Sequence, residues 1–158
     1  MVLNAGQPPR IHGSAVRPLV VHPDERGCLF EVLRADDAEF VRFGQVYITT
    51  AHPGVIKGWH RHRRQTDFFC LITGRARFVL YDPRVDSPTR GQVDVIACDG
   101  AQPQLIVIPP LVYHGFKNVG ATEVICLNCP TESYNAANPD EERVDLFDND
   151  IPYDWSMS

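Results

Sequence analysis

The sequence predicts an all-β fold in which short strands pack as a sandwich or barrel. Thirteen prolines and eleven glycines divide the 158-residue chain into short segments, and the segments between them are rich in Val, Ile, Phe and Tyr. Short strands separated by such turn residues are typical of sandwiches and barrels. In one segment Arg75 and Arg77 alternate with Ala76 and Phe78, which is the two-residue period of a strand with one buried face.

The elements predicted by this pattern fill most of the chain. Residues 1–20 contain several prolines and are expected to form an arm or an edge strand. The strands that follow are residues 29–33, 40–50, 66–72, 75–81, 92–97, 104–108 and 123–127. Residues 135–158 form a C-terminal segment, and its Asn-Pro-Asp-Glu-Glu stretch predicts a short helix over 138–143. With no internal repeat and no linker, residues 1–158 are predicted to form a single domain.

The composition excludes two classes of function. The net charge is −5, so the chain offers no general basic surface for nucleic acid. No window approaches the roughly 18 apolar residues of a membrane span. The N-terminus lacks the charged and apolar pattern of a signal peptide, so we expect a cytoplasmic protein. A local basic stretch at residues 60–64 suits a small anion better than a polymer.

Three histidines and one acid mark the predicted functional site. His60 and His62 are one residue apart, so both project from the same face of a strand. Asp67 follows five positions after His62, and His114 lies beside a later turn. Imidazoles and a carboxylate in one place are also the ligands that suit a divalent first-row metal.

These residues lie in two segments that resemble the two motifs of the cupin family. The first runs over residues 54–74 and is bracketed by glycines, and the second runs over residues 109–118. Leu111 stands where the family has a turn glycine. The resemblance implies a cupin double-stranded β-helix, which is a jelly-roll barrel with a small-ligand site at its mouth.

A longer series of short segments, in a fixed order, covers most of the chain. It comprises DERG at 24–27, GVIKGWH at 54–60, DPR at 82–84, SPTRG at 87–91, IPPLVYHGF at 108–116, and Asp148 with Trp155. Residues 24–155 thereby resemble the dTDP-4-dehydrorhamnose 3,5-epimerase family, which acts on a nucleotide-linked 4-keto-6-deoxysugar. The resemblance implies proton transfer next to the ketone, no cofactor, no catalytic metal and a homodimer.

The resemblance also implies roles for individual residues. His60 would be the base, Asp148 would orient its ring, and His114 would be a second donor near the sugar. Arg26 and Lys57 match cationic positions of the family and would contact the diphosphate.

Four more positions belong to the predicted site. Glu31 and Gln65 match positions near the nucleotide. The family's lysine is replaced here by Asp67, and its tyrosine is replaced by Asn128, which we place among the substrate-binding residues. A carboxylate cannot stabilise an enolate, and an amide cannot donate a proton as an acid.

Tyr47 offers a phenol that could act in place of the missing tyrosine. Together with His60 and His62 it resembles the catalytic set of the sugar-nucleotide 3,4-ketoisomerases, which move a proton between C3 and C4. Two further hypotheses remain open on the sequence. One is a metal-dependent cupin oxygenase or isomerase in which Asp67 is a ligand, and the other is a sugar-nucleotide binder without catalysis.

Overall fold

The structure is an all-β jelly roll, as predicted. The computed structural model describes residues 2–3 and 8–157. Its strands are, in chain order, β1 (Val2–Leu3), β2 (Ala15–Pro18), β3 (Val21–Asp24), β4 (Gly27–Phe30), β5 (Tyr47–Ala51), β6 (Ile56–Arg61), β7 (Asp67–Thr73), β8 (Arg75–Tyr81), β9 (Val93–Asp99), β10 (Gln104–Ile108), β11 (Tyr113–Asn118), β12 (Val124–Asn128) and β13 (Glu142–Arg143), followed by a 3₁₀ turn at Trp155–Met157.

Two sheets form the barrel. The first has the strand order β1-β9-β8-β11-β6-β13, and the second has the order β2-β10-β7-β12-β5. The hairpin β3–β4 is a separate two-stranded sheet. The N-terminal region supplies an edge strand to each main sheet, β1 to the first and β2 to the second, while residue 1 and residues 4–7 of the predicted arm lie outside the described residues.

The main core lies between the two sheets. Phe69 and Ile106 come from the second sheet, Phe78 and Leu80 come from the first, and all four are at most 3% exposed. Burial of one such side chain contributes about 1.5–3 kcal/mol to stability. In the described part of the chain, no helix has the length and apolar character needed to cross a membrane.

Most predicted strands occur where the sequence placed them. β8 and β10 have the predicted bounds, and β7, β9 and β12 differ by one or two residues. The prediction at 40–50 is realised only at its end, in β5, and the prediction at 29–33 overlaps only the end of β4. β6 and β11, each of which contains a glycine, were not among the strands predicted from composition, although the histidine spacing placed His60 on a strand. Gly58 and Gly115 face each other so closely that a Cβ on Gly58 would lie 2.9 Å from the Gly115 Cα.

The predicted helix at 138–143 is wrong. Residues 142–143 form β13, which pairs with β6. The Asp140 carboxylate accepts the backbone N–H groups of residues 63–65 at 3.0–3.2 Å instead of capping a helix. Glu142 also pairs with Arg61 and Arg63. These contacts with a distant loop outweigh a local capping pattern that is worth about 1 kcal/mol.

The DPR and SPTRG segments build a structural loop around one buried carboxylate. Asp82 is fully buried and accepts hydrogen bonds from Arg84, Ser87 and Thr89. Burial alone would raise the pKa of Asp82, but these hydrogen bonds, led by that of Arg84, hold the pKa well below its usual range. Asp82 therefore stays ionised and anchors the loop.

Candidate active site

The histidine cluster forms where the end of β6 lies beside the start of β11. His60 on β6 is paired directly with His114 on β11 in the sheet register, and their ring centroids are 4.1 Å apart. His62 follows β6, with its ring centroid 5.8 Å from that of His114. One ligand nitrogen from each of the three rings lies within 4.8 Å of the others. The structure thus brings together the three histidines that the sequence singled out.

Hydrogen bonds fix the tautomers of two of these rings. Nδ1 of His62 lies at the Asp140 carbonyl oxygen, and Nδ1 of His114 lies 3.1 Å from the Val112 carbonyl oxygen. A carbonyl only accepts, so each Nδ1 carries a proton and each neutral ring has its lone pair on Nε2. Both Nε2 atoms face Asp67 Oδ2, at 3.4 and 3.3 Å. Lone pairs facing a carboxylate repel it, so this arrangement favours a cation between them.

Asp67 is buried behind the histidines rather than facing the cavity. Its side chain is 1% exposed, and its Oδ1 accepts hydrogen bonds from Gln65 Nε2 at 2.8 Å and Asn128 Nδ2 at 2.7 Å. Burial alone would raise the pKa of Asp67, but His114, His62 and the Asn128 hydrogen bond together lower it to about 2. The carboxylate is therefore ionised.

His60 is the member of the cluster that lines the main cavity together with His114. This cavity has a volume of about 400 Å³, and its apolar wall consists of Phe69, Phe78 and Phe116. Burial lowers the pKa of His60 well below its ordinary value, and the nearby His114 acts in the same direction, while Asp67 opposes them. The neutral ring that results is the form that can accept a proton.

Tyr47 and Asn128 form a hydrogen-bonded pair across neighbouring strands. Asn128 on β12 is opposite Tyr47 on β5, and its Nδ2 donates to the Tyr47 hydroxyl at 2.9 Å. Tyr47 lines the cavity. Burial raises the pKa of Tyr47 to about 12, although the Asn128 hydrogen bond acts in the opposite direction. Asn128 itself is fully buried and bonded within the protein, which corrects its assignment as a substrate-binding residue.

Cationic side chains stand beside the cavity. Lys57 lines it and donates from Nζ to Thr49 Oγ1 at 2.8 Å. Arg143 and Glu141 also line it and form an ion pair with each other. Neither residue was predicted for the site, because the local sequence pattern predicts a helix that does not form. The sequence does offer one indication of their place. This segment contains acidic and basic residues, and its acids could have been matched with the basic stretch at 60–64.

Other predicted site residues lie away from the cavity. Arg26 sits on the β3–β4 hairpin with its side chain 82% exposed and pairs with Asp24. Glu31 pairs with Arg34 at the surface.

Asp148 is exposed in a turn after β13, and within the described residues it makes no ion pair with His60. The predicted His60–Asp148 dyad is not formed in this structure, and the carboxylate that faces the histidine cluster is that of Asp67. Gln65 acts as a buried donor to that carboxylate and is not among the cavity-lining residues.

The fold and the site together define a class, a cupin barrel with a histidine cluster in its mouth beside a ligand-sized cavity. The chain belongs to the polysaccharide biosynthesis C-terminal domain family, which matches residues 22–142.

Known proteins similar to this chain come from sugar metabolism. It is 39% identical to the spore coat polysaccharide biosynthesis protein SpsL of Bacillus subtilis over 92% of this chain and 97% of that protein. It is 41% identical to a probable low-salt glycan biosynthesis epimerase, Agl13, of Haloferax volcanii over 94% of this chain and 96% of that protein.

Two further similarities bear on the substrate class. A dTDP sugar isomerase from Desulfovibrio desulfuricans superposes with a TM-score of 0.88 at 30% identity, covering 94% of each chain. A UDP-2-acetamido-2,6-beta-L-arabino-hexul-4-ose reductase of Pseudomonas aeruginosa is 31% identical over 76% of this chain, which spans 30% of that protein. Relatives and structural neighbours are thus epimerases, isomerases and other proteins of activated-sugar biosynthesis.

Proposed function

We propose that this protein is an isomerase of a nucleotide-linked 4-keto-6-deoxysugar, which removes a proton from a carbon next to the ketone and returns one. The observation that carries the proposal is the neutral His60 ring in the wall of a cavity whose volume suits a sugar. A hydrogen next to a ketone is acidic enough for an imidazole base, and a base that is neutral at the working pH suits this step.

The other residues around the cavity supply the remaining parts of this chemistry. Tyr47 can return a proton because it is a neutral phenol in the cavity wall. Lys57 and Arg143 provide positive charge for the diphosphate. Asp67 would not contact an enolate in the cavity, because it lies behind the histidines and is held at Oδ1 by the Gln65 and Asn128 amides.

The relatives narrow the substrate class. One is a dTDP sugar isomerase, another is a probable glycan epimerase, and a third is named for a UDP-linked sugar with its ketone at carbon 4. These names support a nucleotide 4-ketosugar as the substrate of this chain, with either dTDP or UDP as the carrier. Among the possible reactions, we favour epimerisation at C3, with or without C5, because one of these relatives is a probable epimerase.

Incubation in D₂O tests the proposal. dTDP- and UDP-linked 4-keto-6-deoxysugars are mixed with the enzyme, and deuterium is located by NMR. Deuterium at C3 or C5 with inversion supports epimerisation, whereas a 3-keto product supports 3,4-ketoisomerisation. Binding of the sugar nucleotides without any exchange would contradict the proposal and indicate a non-catalytic binder.

A second candidate function, metal-dependent catalysis in the same barrel, is favoured by one observation. The Nε2 atoms of His62 and His114 face the buried Asp67 Oδ2, which has no hydrogen-bond partner among the described residues. His60, His62, His114 and Asp67 would hold a divalent first-row metal, which would polarise a carbonyl oxygen of the substrate. Elemental analysis of protein purified without chelator tests whether the site holds a metal. A stoichiometric metal whose removal lowers the melting temperature supports this candidate, and a metal-free protein of unchanged stability contradicts it.

We also propose that the protein is a homodimer. Large apolar side chains are exposed on the isolated β3–β4 hairpin and next to it, including Leu29 at 61% and Val20 at 71%. An isolated two-stranded hairpin is only marginally stable in water. Burial of this surface against a second copy would stabilise it.

A further inference from the structure

We propose that Asp67 and Asn128 form a positioning chain that aims the Tyr47 hydroxyl proton into the cavity. This inference rests on the proposed function and assigns a role to the two positions at which the chain departs from the epimerase pattern. In it Asn128 and Asp67 act through Tyr47, and Tyr47 is the group that meets the substrate.

The first step is the orientation of the Asn128 amide. The backbone N–H of Phe68 donates to Asn128 Oδ1 at 3.0 Å, so the opposite side of the amide must be the NH₂ group. That group donates to Asp67 Oδ1 at 2.7 Å and to the Tyr47 hydroxyl at 2.9 Å. Because a carboxylate only accepts, the contact with Asp67 fixes the same orientation independently.

The second step is the consequence for the phenol. An NH₂ group can only donate, so the Tyr47 oxygen is the acceptor in this hydrogen bond. The Tyr47 hydroxyl can therefore donate its proton to another group. Among the described residues, no protein group accepts this proton. Tyr47 lines the same cavity as His60, so the proton is available to a ligand there.

The third step is the role of Asp67. Its Oδ1 also receives the Gln65 amide at 2.8 Å, and its Oδ2 faces the two histidines. The carboxylate is thus held at Oδ1 by two side-chain amides, and it fixes Asn128 through the same oxygen. A tyrosine at position 128 would deliver its proton directly, whereas here an amide at that position fixes a tyrosine on the neighbouring strand.

The substitution Asn128→Asp tests the chain because it preserves shape but reverses hydrogen-bond polarity. The new carboxyl can still accept the Phe68 N–H. Its other oxygen would lie against Asp67, so it would take up a proton and donate it to the Asp67 carboxylate, while its lone pair would accept the phenol proton of Tyr47 and turn it away from the cavity. We expect product formation to fall at least tenfold, with KM changed less than twofold. Exchange of the substrate hydrogen in D₂O, which depends on His60, should be retained.

A double-mutant cycle separates this role from general damage. On a Tyr47→Phe background, Asn128→Asp should cause no further loss of product formation, because its effect passes through the phenol. Asn128→Ala provides a second cycle if the aspartate variant does not fold. Asn118→Asp is the matched control, since Asn118 is also buried and bonded to backbone groups but is absent from the cavity lining. It should leave the ratio of product to exchange unchanged.

The outcomes are distinct. Equal losses from Asn128→Asp with and without the Tyr47 hydroxyl, or a parallel fall of exchange and product, overturn the positioning role while leaving the proposed function in place. No exchange and no product with the wild-type protein overturn the proposed function and this role with it.

Discussion

At the scale of single residues, the surroundings of His60 predict its pH dependence. Burial lowers the pKa of this ring below 6.5, and the nearby His114 adds to the effect. A base works in its deprotonated form, so the lowered pKa keeps His60 active at pH values where an ordinary histidine would already be protonated. In metal-free protein we expect hydrogen exchange at substrate concentrations well below KM, which reports the free enzyme, to remain on its plateau as the pH falls through 6.5 and to decline only below it. An acid limb centred at or above 6.5 would contradict this.

Leu111 gives a prediction on backbone strain. Its φ is 66°, in the left-handed region, and it stands where the cupin motif has a glycine. Replacement by glycine and by alanine removes the same partly exposed side chain, but only glycine relieves the backbone. We expect Leu111→Gly to be about 1 kcal/mol more stable than Leu111→Ala in urea unfolding. Equal stability of the two variants would show that this position carries no strain.

At the scale of elements, the C-terminal segment supports the site through Asp140. The Asp140 carboxylate accepts the backbone N–H groups of residues 63–65. The backbone carbonyl of Asp140 accepts a hydrogen bond from His62. Asp140→Ala should lower the free energy of unfolding by about 1–3 kcal/mol, because it leaves these donors unpaired. The loss should be measured by urea unfolding.

Asp145→Ala is the control for this prediction. Asp145 also accepts two backbone N–H groups, but they belong to its own exposed turn. Its loss should cost less than 1 kcal/mol and leave the ligand affinity unchanged. If both variants lose equal stability and equal affinity, the segment does not act as a support for the loop at 63–65.

The same elements show what the sequence could and could not predict. β8 was predicted residue for residue because an alternating pattern bounded by a glycine specifies a strand locally. His60 and His114 were predicted as site residues because the spacing of their motifs can be read from the sequence without knowledge of the fold. The link from Asn128 to Tyr47 could not be predicted, since it depends on which strands are neighbours in the second sheet. β13 was missed because its local pattern favours a helix and only contacts with a distant loop override it.

At the scale of the whole molecule, the exposed apolar surface of the β3–β4 hairpin predicts a dimer in solution. Val20→Lys together with Leu29→Lys should convert it to a monomer with an unchanged circular dichroism spectrum, because charges oppose burial of this surface. Light scattering coupled to size exclusion measures the mass. Val85→Lys is the matched control, since Val85 is also 71% exposed but lies in the Asp82 loop. A wild-type monomer, or a dimer unaffected by the hairpin substitutions, would contradict the prediction.

The role of His60 is tested most directly by the rate at which His60→Ala exchanges the substrate hydrogen in D₂O. His52→Ala is the control, because His52 is an exposed histidine outside the cavity. We expect His60→Ala to bind the nucleotide sugar but to exchange its hydrogen at least about 10²-fold more slowly than wild type, and His52→Ala to exchange normally. Exchange by His60→Ala at the wild-type rate would contradict the assignment of His60 as the base.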